Sequence, residues 1–399
     1  MVIEVVQYCL ATLLGTLIGY PLLLSFFALK GKKSDTFATT RNRKFAILIL
    51  SQNHGNVISK SLYSLSGLVY PKNMFDLIVI ADRCNDNTAE IAKNLGAIVW
   101  ERLEEDGSKE RTLHWAFEQV VSSQQAYEAV IVFDANSLVC ANYLEVMNYY
   151  LENGSKVVQS SEFILSQSSA GAIEAKRIEF LFNNYIKPMG RKVLGLSMGL
   201  RCNGICISRE LLKENRWPQW LLNSNGELGL ILELEGVKKD FAPEAQVYHE
   251  VAGESGKSEE TRKINRFSIQ RKYFPKFLKA AFKKRSFQYL DNLIELVTPP
   301  LRYMLLIILL MLVVNIALWF LGWETVSFIW LWTGITGLAV SYLLVGLAAA
   351  GADRQVYKSL FYMPLHLLWQ FKTKLDKPSS KERKKMSTPA KERDMASPS

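Results

Sequence analysis

The sequence predicts an α/β protein with a mostly parallel sheet, joined to three membrane-spanning helices. Apolar residues gather in one uninterrupted run near the N-terminus and in two more after residue 300. Between residues 44 and 250, short β-branched runs alternate with longer amphipathic stretches, the pattern of a parallel sheet covered on both faces. Two of those runs end in an aspartate, and the carboxyl ends of such strands are where ligands collect.

The first element, residues 1–29, is a membrane helix. From Val5 to Leu29 no charge interrupts the chain, and at about 1.5 Å per residue the run is long enough to cross a bilayer. A cleaved signal is disfavoured, because no Lys or Arg precedes the run and it is longer than a signal's apolar core. The linker 30–43 carries Lys30, Lys32, Lys33, Arg41 and Arg43 against Asp35. Such a basic excess marks the cytoplasmic side. The net charge of +10 belongs to runs that flank apolar spans, which suits anionic headgroups. No nucleic-acid-binding pattern accompanies it.

Within 44–250 the pattern places strands at 44–50, 75–82, 97–101, 129–135 and 156–163. Helices fall at 56–68, 88–95 and 109–122, with Gly96 closing the second of them. Residues 251–300 form an amphipathic, interfacial helical region. Residues 301–350 form a transmembrane hairpin whose short turn lies outside, with Trp319, Trp323, Trp330 and Trp332 as an aromatic belt. An interfacial segment (351–375) and a disordered basic tail (376–399) follow. This arrangement puts the α/β domain and the C-terminus on the cytoplasmic face of the cell's inner membrane. Spans without intramembrane charge offer no transport pathway. The five scattered cysteines fit neither a disulfide framework nor a zinc site.

The polar residues at strand ends are Ser51 to His54, then Asp82, Cys84 and Asp86, then Asp134 and Asn136. Asp86 also stands where it can cap the helix after it. Neither a dinucleotide-binding glycine motif nor a P-loop is present.

The segments ADRCNDNTAEIAKNLGA (81–97), VFDANSLV (132–139), NGICIS (203–208) and EGVKKDFAPEAQVYHE (235–250) resemble the membrane-bound family 2 glycosyltransferases, the group that includes cellulose and hyaluronan synthases. The resemblance runs from Phe45 to about Tyr273. It implies a GT-A fold and an inverting transfer from a UDP- or GDP-sugar to a lipid or glycan acceptor. Asp82 and Asp86 would hold the nucleoside and Lys109 the diphosphate. Asp134 and Asn136, in place of the family's DxD, would hold Mg²⁺ or Mn²⁺. Asn203, Gly204 and Arg266 would line the diphosphate or acceptor. The family's catalytic base falls on Asn225, an amide that cannot take a proton, and Glu227 is the nearest carboxylate. The QxxRW motif reads Lys263 to Phe267, keeping Arg266 and an aromatic residue. These departures open a second reading, a catalytically inactive binding or assembly subunit among glycan-synthesis proteins.

The charge pattern predicts a protease-accessible 44–290 region in sealed inverted vesicles. Protection of that region would overturn the orientation.

Overall fold

The computed structural model describes residues 2–31, 36–104, 109–165, 171–214, 225–250, 266–322, 326–354, 356–358 and 360. The interfacial segment and tail expected after 351 lie almost wholly outside the described residues, as do Lys263 to Asn265 and Trp323.

Eight strands form one sheet: β1 (Phe45–Ser51), β2 (Phe75–Asp82), β3 (Ile98–Arg102), β4 (Ala129–Asp134), β5 (Ser137–Val139), β6 (Val157–Leu165), β7 (Ile205–Ser208) and β8 (Lys239–Glu250). Their order is β3-β2-β1-β4-β7-β6-β8-β5. The β3-β2-β1-β4 half is entirely parallel, and β6 is parallel to β8. β7 runs antiparallel to both its neighbours, and β5 runs antiparallel to β8. The mostly parallel sheet read from the sequence is present, with an antiparallel strand at its centre.

The helices are α1 (Val2–Lys30), α2 (Ile58–Ser66), α3 (Thr88–Asn94), α4 (Lys109–Ser122), α5 (Tyr143–Glu152), α6 (Gly171–Leu181), α7 (Lys187–Val193), α8 (Arg209–Glu214), α9 (Asn225–Leu234), α10 (Arg266–Lys284), α11 (Phe287–Val297), α12 (Leu301–Phe320) and α13 (Val326–Ala349). A π-helical turn, Phe182–Ile186, joins α6 to α7.

Side chains of a strand alternate between faces, and β1 shows why it reads as an unbroken apolar run. Phe45, Ile47 and Ile49 enter one core with Ile58, Leu62 and Leu65 of α2 and Met147 of α5. Ala46, Leu48 and Leu50 enter the other with Leu113, Phe117 and Val120 of α4. Each such side chain, fully withdrawn from water, contributes about 1.5–3 kcal/mol. Gly96 ends α3 with φ +81°, the left-handed backbone that glycine adopts without steric cost.

α1, α12 and α13 are long and apolar enough to cross a membrane. α1 lies in a third core with the π turn, α7 and α13. Trp332 corrects the belt reading. It is fully buried, and its indole Nε1 donates to Gln7 Oε1 of α1 at 3.0 Å. An indole N–H in an apolar interior needs such an acceptor. Trp319 and Trp330 are exposed.

Buried charge ties α11 to α7 and α1. Arg191 of α7 donates to Asp291 of α11 at 2.9 and 3.0 Å and to Glu295 at 3.0 Å. The Tyr20 hydroxyl of α1 donates to the same Asp291. At Gly190 a Cβ would stand 2.2 Å from the Leu24 carbonyl oxygen of α1, so α1 and α7 touch through backbone.

Gly190→Ala should therefore force α1 and α7 apart and cost about 1–3 kcal/mol, the usual effect of overpacking. The thermal midpoint of detergent-solubilised protein measures it, and an unchanged midpoint would refute the close contact.

Candidate functional site at the sheet rim

The register of β1 builds the site. Leu50 pairs with Ile80 on one side and with Asp134 on the other. Asp82 and Asp134 therefore end strands on the same rim, two strand spacings or about 10 Å apart across the sheet, with Asp82 two residues further along its strand. The loops beyond these strand ends carry left-handed residues, Asn53 (φ 55°) and Arg83 (φ 50°). Strained non-glycine backbone of this kind clusters at functional sites.

Asp134 is the hub. Its carboxylate is paired with the Lys109 ammonium from the first turn of α4. Its backbone N–H donates to Asn203 Oδ1 at 3.0 Å, and Ser137 Oγ donates to the same oxygen at 3.0 Å. Those bonds orient the Asn203 amide, so Nδ2 faces His249 Nε2 at 2.8 Å. His249 Nε2 also stands 3.0 Å from Glu162 Oε2. Asn136 is half-buried on the same turn as Asp134. Gly204 has φ +65°, and a Cβ there would lie 1.9 Å from Ser160 Oγ. Its carbonyl accepts from Ser160 N and from the Tyr143 hydroxyl.

Asp82 is buried and its oxygens are engaged. Oδ1 faces Arg102 Nη1 at 3.4 Å, and Oδ2 accepts from Thr112 Oγ1 at 3.0 Å and from Arg83 Nη2 at 3.0 Å. Arg102 is Asp82's register partner on β3. It escaped the sequence reading because that strand was ended one residue short.

Asp86 takes the capping role. Its Oδ1 accepts from Thr88 N at 3.1 Å and from Thr88 Oγ1 at 2.5 Å, while Oδ2 accepts from Gly55 N at 3.0 Å. The Thr88 hydroxyl bond, aided by those amides, holds this carboxyl below its usual range. Its contribution is present above about pH 3.9, the unfolded value, and is lost as pH falls through the lower folded value. Nearby Cys84 has its thiol pushed up by burial.

Glu227 is separate from this cluster. It is buried in the first turn of α9, and its Oε2 lies 3.0 Å from Lys272 Nζ and 3.4 Å from the Tyr273 hydroxyl, both on α10. Asn225 begins α9 and Arg266 begins α10. The structure thus brings Asp82, Lys109, Asp134, Asn136, Asn203 and Gly204 to one rim, and it ties Glu227 to α10. Sequence reasoning passed over His249 and Glu162. The VYHE run carried a signal for the first, a histidine beside the last residue of a long strand.

The donors at Asp134 and Asn136 are hard oxygens, which suit Mg²⁺ or Mn²⁺. Among the described residues no group of three or more His, Cys, Asp or Glu side chains forms a metal cluster.

Residues 42–273 match the family model described as glycosyltransferase like family 2. Comparison with curated protein sequences finds no match. Among solved structures the chain is similar to the mannosyltransferase PcManGT from Pyrobaculum calidifontis, in complex with GDP-Man and Mn²⁺. Identity is 14%, over 90% of this chain and 98% of that one, with a TM-score of 0.55. It is also similar to S. aureus TarS 1-349 in complex with UDP-GlcNAc, at 14% identity over 78% and 93% of the two chains and a TM-score of 0.44. The architecture is the GT-A fold that the sequence resemblance implied.

Asp82→Ala should destabilise the protein by about 1–3 kcal/mol, since the buried Arg102 loses a charged partner. Asp82→Asn, which keeps an acceptor for Thr112, should cost less. Equal denaturation midpoints for the two variants would remove this structural role.

Proposed function

The chain belongs to glycosyltransferase family 2, and from that membership we propose that it transfers a sugar, with inversion, from a nucleotide-diphosphate donor to a lipid or glycan acceptor at the cytoplasmic face of the cell's inner membrane. The observation that carries the proposal is the convergence of Lys109 and Asp134 on the rim that also holds Asp82. A diphosphate needs positive charge and a nucleoside needs acceptors, and this rim offers both. The donor is a UDP- or GDP-sugar, and the product serves cell-surface glycan synthesis.

In this reading Asp82 and Asp86 face the nucleoside, and Lys109 neutralises the diphosphate. Asp134 and Asn136 hold a divalent ion, which when bound absorbs charge on the leaving group. Asn203 keeps the Asp134 loop in place, and Gly204 lets β7 approach β6 beneath it. Arg266 supports the acceptor side. Glu227 serves as base in place of Asn225, once Lys272 releases its carboxylate. The domain limits follow the sequence reading, with the transferase unit over 44–250 and anchors at 1–29 and 301–350.

One observation favours a second reading. The carboxylate nearest the base position is buried and already paired with Lys272. On that account the chain binds nucleotide sugar, or a partner in glycan synthesis, without turnover.

Calorimetric titration of the full chain with UDP- and GDP-sugars, with and without Mn²⁺, tests the proposal. Binding should require Mn²⁺ and weaken about tenfold or more in Lys109→Gln, the worth of a charged hydrogen bond. No binding of any donor would sink both the transferase and the nucleotide-sugar-binding subunit. If donor binds and sugar is transferred, Glu227→Gln should reduce turnover about 10²–10⁴-fold. Donor binding without turnover in the wild type selects the subunit reading.

A further inference from the structure

α10 presents three faces. It carries seven basic residues, Arg266, Arg271, Lys272, Lys276, Lys279, Lys283 and Lys284, and no acid. Tyr273 and Phe277 point inward, into a core with Leu293 and Leu296 of α11. Phe267, Phe274, Leu278 and Phe282 are exposed instead, the first and last at 71% and 78%. At about 100° per residue these four fall within about 80° of the helix circumference, a stripe that the exposed Arg271 also enters. Lys272, Lys276, Lys279 and Lys283 form a row about a third of a turn away. Among the described residues, Lys276, Lys279 and Lys283 have no acidic partner.

Two observations say what covers the stripe. α11, packed on α10, also exposes Phe287 and Leu290, and only Thr298 to Pro300 separate it from the span α12. α11 is also bonded directly to the span α1 through Asp291 and Tyr20. α10 is therefore held beside the membrane helices through α11. A basic row flanking an apolar stripe is how a helix lies in a bilayer interface, with ammonium groups at the level of the phosphates.

We propose that α10 is an anionic-phospholipid-binding helix on the cytoplasmic leaflet, and that leaflet charge reaches Glu227 through Lys272. Lys272 belongs to the row, yet it also holds Glu227 at 3.0 Å. An anionic headgroup beside the row competes for that ammonium and loosens the carboxylate. The consequence for turnover rests on the transferase reading above, whereas the lipid contact does not.

The test uses the full chain in nanodiscs of phosphatidylcholine alone or with 30% phosphatidylglycerol. Hydrogen exchange over 266–284 should slow several-fold with the anionic lipid. Lys279→Gln with Lys283→Gln should abolish that difference. A benzophenone amino acid at 282 should crosslink to lipid. Exchange that is the same in both nanodiscs, or crosslinks to a co-purifying protein, would overturn the proposal. If sugar transfer is measurable, it should rise several-fold with phosphatidylglycerol, and a rate independent of lipid charge would overturn the link through Lys272. Slowed exchange without transfer in either lipid would leave the lipid contact standing and count against the transferase reading.

Discussion

Both neighbours of β1 run parallel to it, and the site depends on that constraint. Parallel pairing sends β2 and β4 out of the sheet in the same direction, so their terminal acids share a rim. Neither acid is left to water. Asp134 meets Lys109, and Asp82 meets Arg102 and Thr112. Lys109 and Thr112 both come from the first turn of α4. One helix, docked by Leu113 and Phe117 in the core that takes Ala46, Leu48 and Leu50 of β1, thus supplies a partner at both strand ends, an ammonium for Asp134 and a hydroxyl for Asp82. On the proposed reading, a nucleotide entering this rim would exchange existing partners rather than fill bare charges.

The membrane layer is joined to this sheet by contacts that allow little freedom. Gly190 lets α7 touch the backbone of α1. The Arg191–Asp291 pair, withdrawn from water on both sides, then locks α11 against them. Buried ion pairs of this kind add little net stability, because desolvation offsets the attraction. Their effect here is positional, since Asp291 accepts from α1 and α7 at once and only one placement of α11 satisfies both. α10 packs on α11 through Tyr273, Phe277, Tyr289 and Leu293. The position of Lys272 beside Glu227 is therefore inherited from the membrane helices.

Much of the sheet was legible because β1 and β4 are buried on both faces. FAILIL and VIVF have no polar alternation to blur them, and an acid or serine marks where each leaves the core. The spans were legible for a similar reason. The α6, π-turn and α7 segment was not. Its apolar residues face α1 and α13 while Arg191 and Lys187 are buried by pairing with acids a hundred residues away, and no local period reveals such partners. Of the site residues, Asp134, Lys109 and Asn203 stand together in the structure. Asp86 turned out to bracket two loops, a role that depends on the Gly55 amide from another loop. Trp332 read as interfacial because sequence records its amphipathic ring but not Gln7 across the helix contact.

The substitution at Asn136 changes the electrostatics of the rim in a direction that can be stated. Two carboxylates on this turn would concentrate negative charge where a diphosphate must arrive, and a divalent ion would have to offset all of it. With an amide at 136, one of those charges is gone, and Lys109 already balances the other in the described structure. The turn is therefore close to neutral before any ligand binds. On the proposed reading a donor's diphosphate would then meet less repulsion, and Lys109 would add to the attraction that the metal supplies. An amide carbonyl still offers a hard oxygen, so metal coordination weakens rather than disappears. On that reading the departure from the family's motif would place part of the positive charge that a diphosphate needs on the first turn of α4, the element that also positions Thr112 against Asp82.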